Sequence, residues 1–286
     1  RVKLDGKTYS DKLIQAEVLD WVRKQKDHPF FLYYPTTLPH GDHEIDDLKQ
    51  YKNRTEWTDQ QRAFAAMVTR LDSNVGEILA LLKELKIEDN TLVMFAGDNG
   101  AAFNPDSESG RLFDQSMGGK LRGNKRSMYE GGLRQAAIAR WPGVIPAGRV
   151  SGEPWAFWDF LPTAADVAGA TLPSSFKPDG HSLASFLKGG PAPQRDYFYF
   201  ELHERKPVQA VRFGNWKAVK NGPDAKIELY DLSQDESEAN NLAASKPDLV
   251  AQAKAYMQAA HRDDPNWPMQ QQSVPKKAKK EKKQTG

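Results

Sequence analysis

The chain has 286 residues, of which 39% are hydrophobic and 27% charged, enough apolar material for one large core or a large and a small one. No apolar run reaches the roughly 20 residues that span a bilayer, and the absence of cysteine excludes disulfides, thiolate metal sites and a Cys nucleophile within this chain. The net charge of +2 comes from the end, where six Lys and one Glu sit in the last eleven residues, so the rest is slightly acidic and has no basic excess of the kind that binds nucleic acid.

Residues 10–25 read as a helix with Ile14, Val18, Trp21 and Val22 on one face and Ser10 as N-cap. The apolar run Pro29–Tyr34 reads as a buried strand, followed by a loop holding Pro35, Pro39, His40, Gly41, Asp42 and His43. Thr58 and Gln61 form a capping-box pattern at the head of a helix to about Leu85, with Phe64, Met67, Val68, Leu71, Val75, Ile78, Leu79 and Leu82 as its core stripe. The run Thr91–Gly97 ends abruptly in Asp98-Asn99-Gly100 and reads as a parallel strand buried on both faces. Residues 101–132 form a long aperiodic loop, in which Glu130-Gly131-Gly132 shapes a tight turn. Gln135–Trp141 is a second apolar strand, and 154–169 a helix with Phe157, Phe160, Leu161 and Val167 apolar.

After about residue 190 the pattern changes. Tyr197–Leu202, Val208–Phe213, Trp216–Val219 and Glu228–Leu232 are short strands separated by turns, as in an antiparallel meander, and a helix follows over 247–260. The expected fold is α/β: a mostly parallel, doubly wound sheet over 1–190, a smaller antiparallel α+β subdomain over 191–269, and a disordered Lys-rich tail over 270–286.

Chemistry-bearing residues fall in the loops after the strands, where open α/β sheets bind ligands. Asp98 and Asn99 offer two adjacent hard oxygens suited to Ca²⁺ or Mg²⁺, although the same residues are common in ordinary turns. His40 and Lys125 would join them if the 30–34 and 91–97 strands are parallel. A divalent cation, a His and a Lys together suit an anionic oxyester, phosphate or sulfate. His203, with Glu201 and Arg205 at a strand end of the small domain, is a candidate for choosing the sugar or aryl group.

The order of these motifs resembles the type I, arylsulfatase-like sulfatase family. The resemblance rests on Pro29–Tyr34 with Pro39-His40, Asp98-Asn99-Gly100, and Lys125 with Tyr129-Glu130-Gly131-Gly132-Leu133-Arg134. It continues into Glu228–Leu232, Glu238, Asn240-Asn241-Leu242 and the ending from Pro265 to Pro268. It implies an alkaline-phosphatase-like fold and a sulfuric ester hydrolase acting on a sulfated small molecule or glycan, in a periplasmic or secreted setting. Asp98 and Asn99 would be ligands of Ca²⁺, with Mg²⁺ the second choice. His40 would contact the ester and Lys125 bind its oxygens. The family's nucleophile is a formylglycine made from Cys or Ser in a Cys/Ser-x-Pro/Ala-x-Arg motif. That motif has no counterpart here, since Ser273-Val274-Pro275-Lys276-Lys277 ends in Lys and lies in the tail. The family's early paired Asp is also without a counterpart. The expectation is therefore a carboxyl-terminal portion, inactive alone, whose partner is the upstream half of the same protein. The rival readings are a phosphatase or phosphonate hydrolase of the same superfamily, and a noncatalytic binding module.

Overall fold

The computed structural model describes residues 8–41, 43–102, 119–204 and 206–269; the tail, Asp42, Arg205 and most of the loop after Ala102 lie outside them. In chain order the elements are α1 (Ser10–Gln25), α2 (Asp59–Glu84), β1 (Val93–Ala96), α3 (Glu130–Leu133), β2 (Ala137–Arg140), α4 (Phe160–Ala168), α5 (Ala184–Leu187), β3 (Phe198–Leu202), β4 (Val208–Phe213), β5 (Trp216–Lys220), β6 (Glu228–Asp231) and α6 (Pro247–Ala260). Among the described residues no helix is long and apolar enough to cross a membrane. The chain divides into two compact units. One holds Arg1–Asp98, Ala102–Phe113 and Gln135–Gln194; the other holds Asn99–Ala101, Asp114–Arg134 and Arg195–Gly286.

In the first unit, α2 begins with the expected capping box. Gln61 N–H donates to Thr58 Oγ1 at 3.3 Å, and Thr58 N–H donates to Gln61 Oε1 at 2.8 Å. Helix α1 instead starts one residue early, with Tyr9 at the cap and Ser10 already helical. The two helices meet through buried polar side chains. Asn74 Nδ2 donates to both Asp11 carboxylate oxygens at 3.1 and 3.0 Å, and Gln15 Nε2 donates to Asn74 O at 3.0 Å. Such groups are stable inside only when bonded, so this network fixes the rotation of α2. Asn74, Ala63, Ala65, Ala66 and Met67 turn inward, while Val68, expected in the core, is 41% exposed.

The extended segment 29–34 corrects the strand expected there. It makes no ladder among the described residues. Phe30 and Leu32 pack on the Val22–Leu81–Leu82 core, and Phe31 and Tyr33 point outward, 64% and 73% exposed. The alternation has a physical cause: without a second apolar layer, only one side of an extended chain can be buried. Strand β1 corrects the parallel, doubly buried strand expected over 91–97: it is half-buried throughout and, among the described residues, pairs antiparallel with β2, Val93 opposite Arg140 and Ala96 opposite Ala137. The helix expected over 154–169 is a 3-10 turn at Phe157–Asp159 followed by α4, which ends at Gly169 in the left-handed conformation (φ +66°). Its rotation is set by polar anchors. Asp159 accepts Ala156 N–H and His181 N–H, each at 2.9 Å, and Thr163 Oγ1 accepts Leu183 N–H at 2.9 Å. Phe157 and Leu161 consequently face outward.

The second unit is built on the expected meander, β3-β4-β5-β6, antiparallel throughout. Its strands alternate apolar residues to two faces. One face, with Val211, Phe213, Ala218 and Leu229, packs on Ala253 and Met257 of α6. The other, with Val208, Ala210 and Val219, packs on Met128, Tyr129 and Leu133. The loop that carries Lys125 is thus a covering layer of this sheet.

Leu229 is completely buried against α6, whereas Ile14 on α1 is 44% exposed. Leu229→Ala is expected to lower unfolding free energy by about 2–5 kcal/mol. Ile14→Ala should change it by less than about 0.5 kcal/mol. Urea unfolding of the two variants checks the difference.

Candidate active site

Strand β1 delivers the chain to Asp98-Asn99-Gly100. Asp98 is exposed and closes the first unit; Asn99 is half-buried and opens the short segment belonging to the second. Asn99 Nδ2 donates to Gly100 O at 2.9 Å, which leaves the amide oxygen as the group on offer. Asp98 has no hydrogen-bond or ion-pair partner among the described residues. Two adjacent hard oxygens left over by the protein fit a Ca²⁺ or Mg²⁺ ion, although such ions take six or more oxygens. Among the described residues no three His, Cys, Asp or Glu side chains gather into a metal cage.

Two backbone hydrogen bonds connect this segment to the Lys125 loop. Gly100 N–H donates to Gly132 O at 2.9 Å, and Lys125 N–H donates to Ala101 O at 2.8 Å. The approach is too close for side chains. A Cβ on Gly100 would lie 1.9 Å from Gly131 O, one on Gly131 would lie 2.3 Å from Gly123 O, and one on Gly132 would lie 2.2 Å from Ser127 O. The paired glycines therefore serve close approach, since neither Gly131 nor Gly132 has a positive φ. The two residues after Asn99 are held to the Lys125 loop by backbone alone. The Lys125 side chain is half-buried, and its ammonium has no partner among the described residues. Its neighbour Arg126 sits at φ +77°, a conformation costly for a side chain, and its Nε donates to Glu204 at 2.5 Å.

His40 lies in the first unit, exposed, at the end of a turn in which its N–H donates to Thr37 O at 2.9 Å. His43 packs edge-on against Phe64 of α2. His203 is mostly buried, its Nε2 bonded to Glu201 Oε1 at 2.5 Å. Glu201 also accepts from Tyr199 and meets His261 Nδ1 at 2.8 Å, a partner that sequence spacing gave no reason to expect. Burial works against charge on His261, but its bonds to Glu201 and Asp263 win and raise its pKa.

The sulfatase family profile matches residues 2–170, and a profile described as N-sulphoglucosamine sulphohydrolase, C-terminal, matches residues 122–264. The chain belongs to the sulfatase family. It is 35% identical over 216 residues to N-acetylgalactosamine-6-sulfatase of Canis lupus familiaris, covering 74% of this chain and 38% of that protein. It is 35% identical over 199 residues to human arylsulfatase A, covering 68% of this chain and 36% of that protein. A crystal structure of Ps i-CgsB in complex with k-i-k-neocarrahexaose superposes with a TM-score of 0.78 at 27% identity, covering 92% of this chain and 58% of that one. The fold is accordingly α/β of the alkaline-phosphatase-like type with a small antiparallel subdomain. The chain spans well under half the length of the curated relatives named here.

Gly100→Ala places a methyl group against Gly131 O. The expected cost is about 1–3 kcal/mol, the usual range for overpacking. Amide hydrogen exchange at Lys125 should accelerate along with it, because the two tethers share one contact region.

Proposed function

We propose that this chain is part of a longer sulfuric ester hydrolase, a sulfatase acting on a sulfated glycan or small ester. The observation that carries the reading is the backbone tether that holds Asn99 and Lys125 in one place, in a chain of this family. Asp98 and Asn99 would hold a calcium ion, which when bound polarises the sulfate oxygens. Lys125 contributes an ammonium that neutralises charge building on those oxygens as the S–O bond breaks; such contacts are commonly worth about 10²–10³ in rate. His40 carries the proton that the departing alcohol oxygen needs, a role worth about 10²–10⁴. The nucleophile, formylglycine in this reading, and the remaining metal ligands come from sequence upstream of Arg1. The glycan preference follows the named relatives, a galactosamine sulfatase and an enzyme solved with an oligosaccharide. His203, just past the end of β3, would choose the sugar or aryl group.

The isolated chain should not turn over a chromogenic aryl sulfate in the presence of Ca²⁺; turnover that survives rigorous purification would overturn the reading. In the longer protein, Asp98→Ala should lose metal and at least about 100-fold in turnover, as for the loss of a strong electrostatic stabiliser. Lys125→Ala should cut turnover while metal content stays normal. Metal analysis alongside kinetics separates the two roles, and Asp98→Ala with full metal and near-normal turnover would refute the site.

A further inference from the structure

The Lys125 loop is anchored after Lys125 by buried charge at Glu130 and before it by the exposed Arg122. Lys217 on β5 is completely buried, and its ammonium donates to Glu130 Oε1 at 2.7 Å. Arg212 on β4 lies 3.6 Å from the other oxygen of Glu130. Burying an ammonium and a carboxylate is costly unless they are paired and bonded, and such pairs are satisfied in few geometries. Glu130 opens α3, immediately before the two close-approach glycines.

Glu238 completes the anchor. It is fully buried and sits at φ +52°, a conformation disfavoured for any residue with a Cβ. The turn that presents it is locally built. Asp235 accepts Asn240 N–H at 2.8 Å, and Leu242 N–H donates to Leu229 O at 2.8 Å on β6. Glu238 Oε2 accepts Glu130 N–H at 2.7 Å, and its Oε1, unpartnered, is 3.8 Å from the Lys217 ammonium. Its backbone carbonyl accepts Arg122 NH1 at 2.8 Å. Arg122 also donates to Tyr230 OH at 2.8 Å and lies 3.8 Å over the Tyr129 ring, while Tyr129 and Tyr230 each donate to Glu228 Oε2 at 2.6 Å. One residue thus grips the loop at Arg122 and at Glu130, on either side of Lys125.

We propose that Glu238, together with the Lys217–Glu130 ion pair, is a positioning residue that fixes the Lys125 ammonium for the reaction. The inference rests on the reading of Lys125 given above. Burial raises the Glu238 carboxyl to about pH 7 against the pull of Lys217, the Glu130 N–H and Arg122, with the Glu130 carboxylate adding to the rise. Burial also pushes Glu130 upward, yet Lys217, Arg212 and Arg134 hold it below the ordinary carboxylate range. The stabilising contribution of Glu238 is therefore fully present below its unfolded value of 4.5 and is lost as pH rises through about 7.

The test is a double-mutant cycle in the longer protein, with thermal unfolding and metal content measured for each variant. Glu238→Ala should lower kcat at least about tenfold on an aryl sulfate with metal retained, since a misplacement of about 1 Å can cost up to about 100-fold. Glu238→Gln, which keeps an acceptor for Glu130 N–H, should restore kcat to within about threefold and flatten the pH dependence of stability between 4.5 and 7. In a Lys125→Ala background, Glu238→Ala should cost less than about twofold more, because coupled residues are non-additive. Glu238→Asp, which withdraws the acceptor, carries the same cycle if the alanine variant does not fold. Additive losses would overturn the proposal while leaving the role of Lys125 standing. A Lys125→Ala variant with unchanged turnover would instead remove the reading on which the proposal rests.

Discussion

The contact between Gly100 and the Gly131-Gly132 pair constrains everything else in the second unit. It brings two stretches of backbone to a distance that no side chain could share, and two hydrogen bonds close across it. Because the bonds are made by main chain, the placement of the backbone after Asn99 against the backbone of the Lys125 loop depends on no rotamer. Under the proposed role of Lys125, a loop backbone held this way would favour electrostatic catalysis, since a cation that must be repositioned during reaction loses much of its benefit.

The four-stranded sheet supports that contact from beneath. One face carries an ordinary apolar core against α6, which supplies stability. The other carries Met128 and Tyr129 in an apolar patch, and beside it the buried Glu130, Lys217 and Glu238. Apolar packing is tolerant of small shifts, whereas paired buried charges are satisfied in few geometries. The division of labour follows from this: the helix face holds the unit folded, and the loop face holds Lys125 in register.

Elements governed by local chemistry were legible in the sequence. The capping box of α2, the Val208–Phe213 strand and the Pro247–Ala260 helix stand where period and turn signals put them. Helix rotation was less legible, because Asn74 in α2 and Thr163 in α4 override the apolar stripe through partners distant in sequence. The 29–34 run shows the same limit from another side: its composition matches a doubly covered strand, but burial depends on a neighbouring layer that composition does not supply. For the candidate site, Asp98-Asn99-Gly100 and Lys125 were visible as motifs, and the glycines hinted at close approach. Lys217 was not visible, since a Lys between Trp216 and Ala218 in a short strand looks like a solvated edge residue until its partner, 87 positions away, is known.

The bond from Lys125 N–H to Ala101 O has a further consequence, for the history of such chains rather than their chemistry. It pins the two ends of whatever lies between them, and the entropy of closing a loop grows only logarithmically with its length, by about 0.6 kcal/mol per doubling. A change in the number of residues between Ala101 and Lys125 therefore adds little closure entropy to the cost of making this bond. A chain closed in this way can exchange one intervening segment for another of different length and sequence while the backbone at Ala101 and Lys125 keeps its bond.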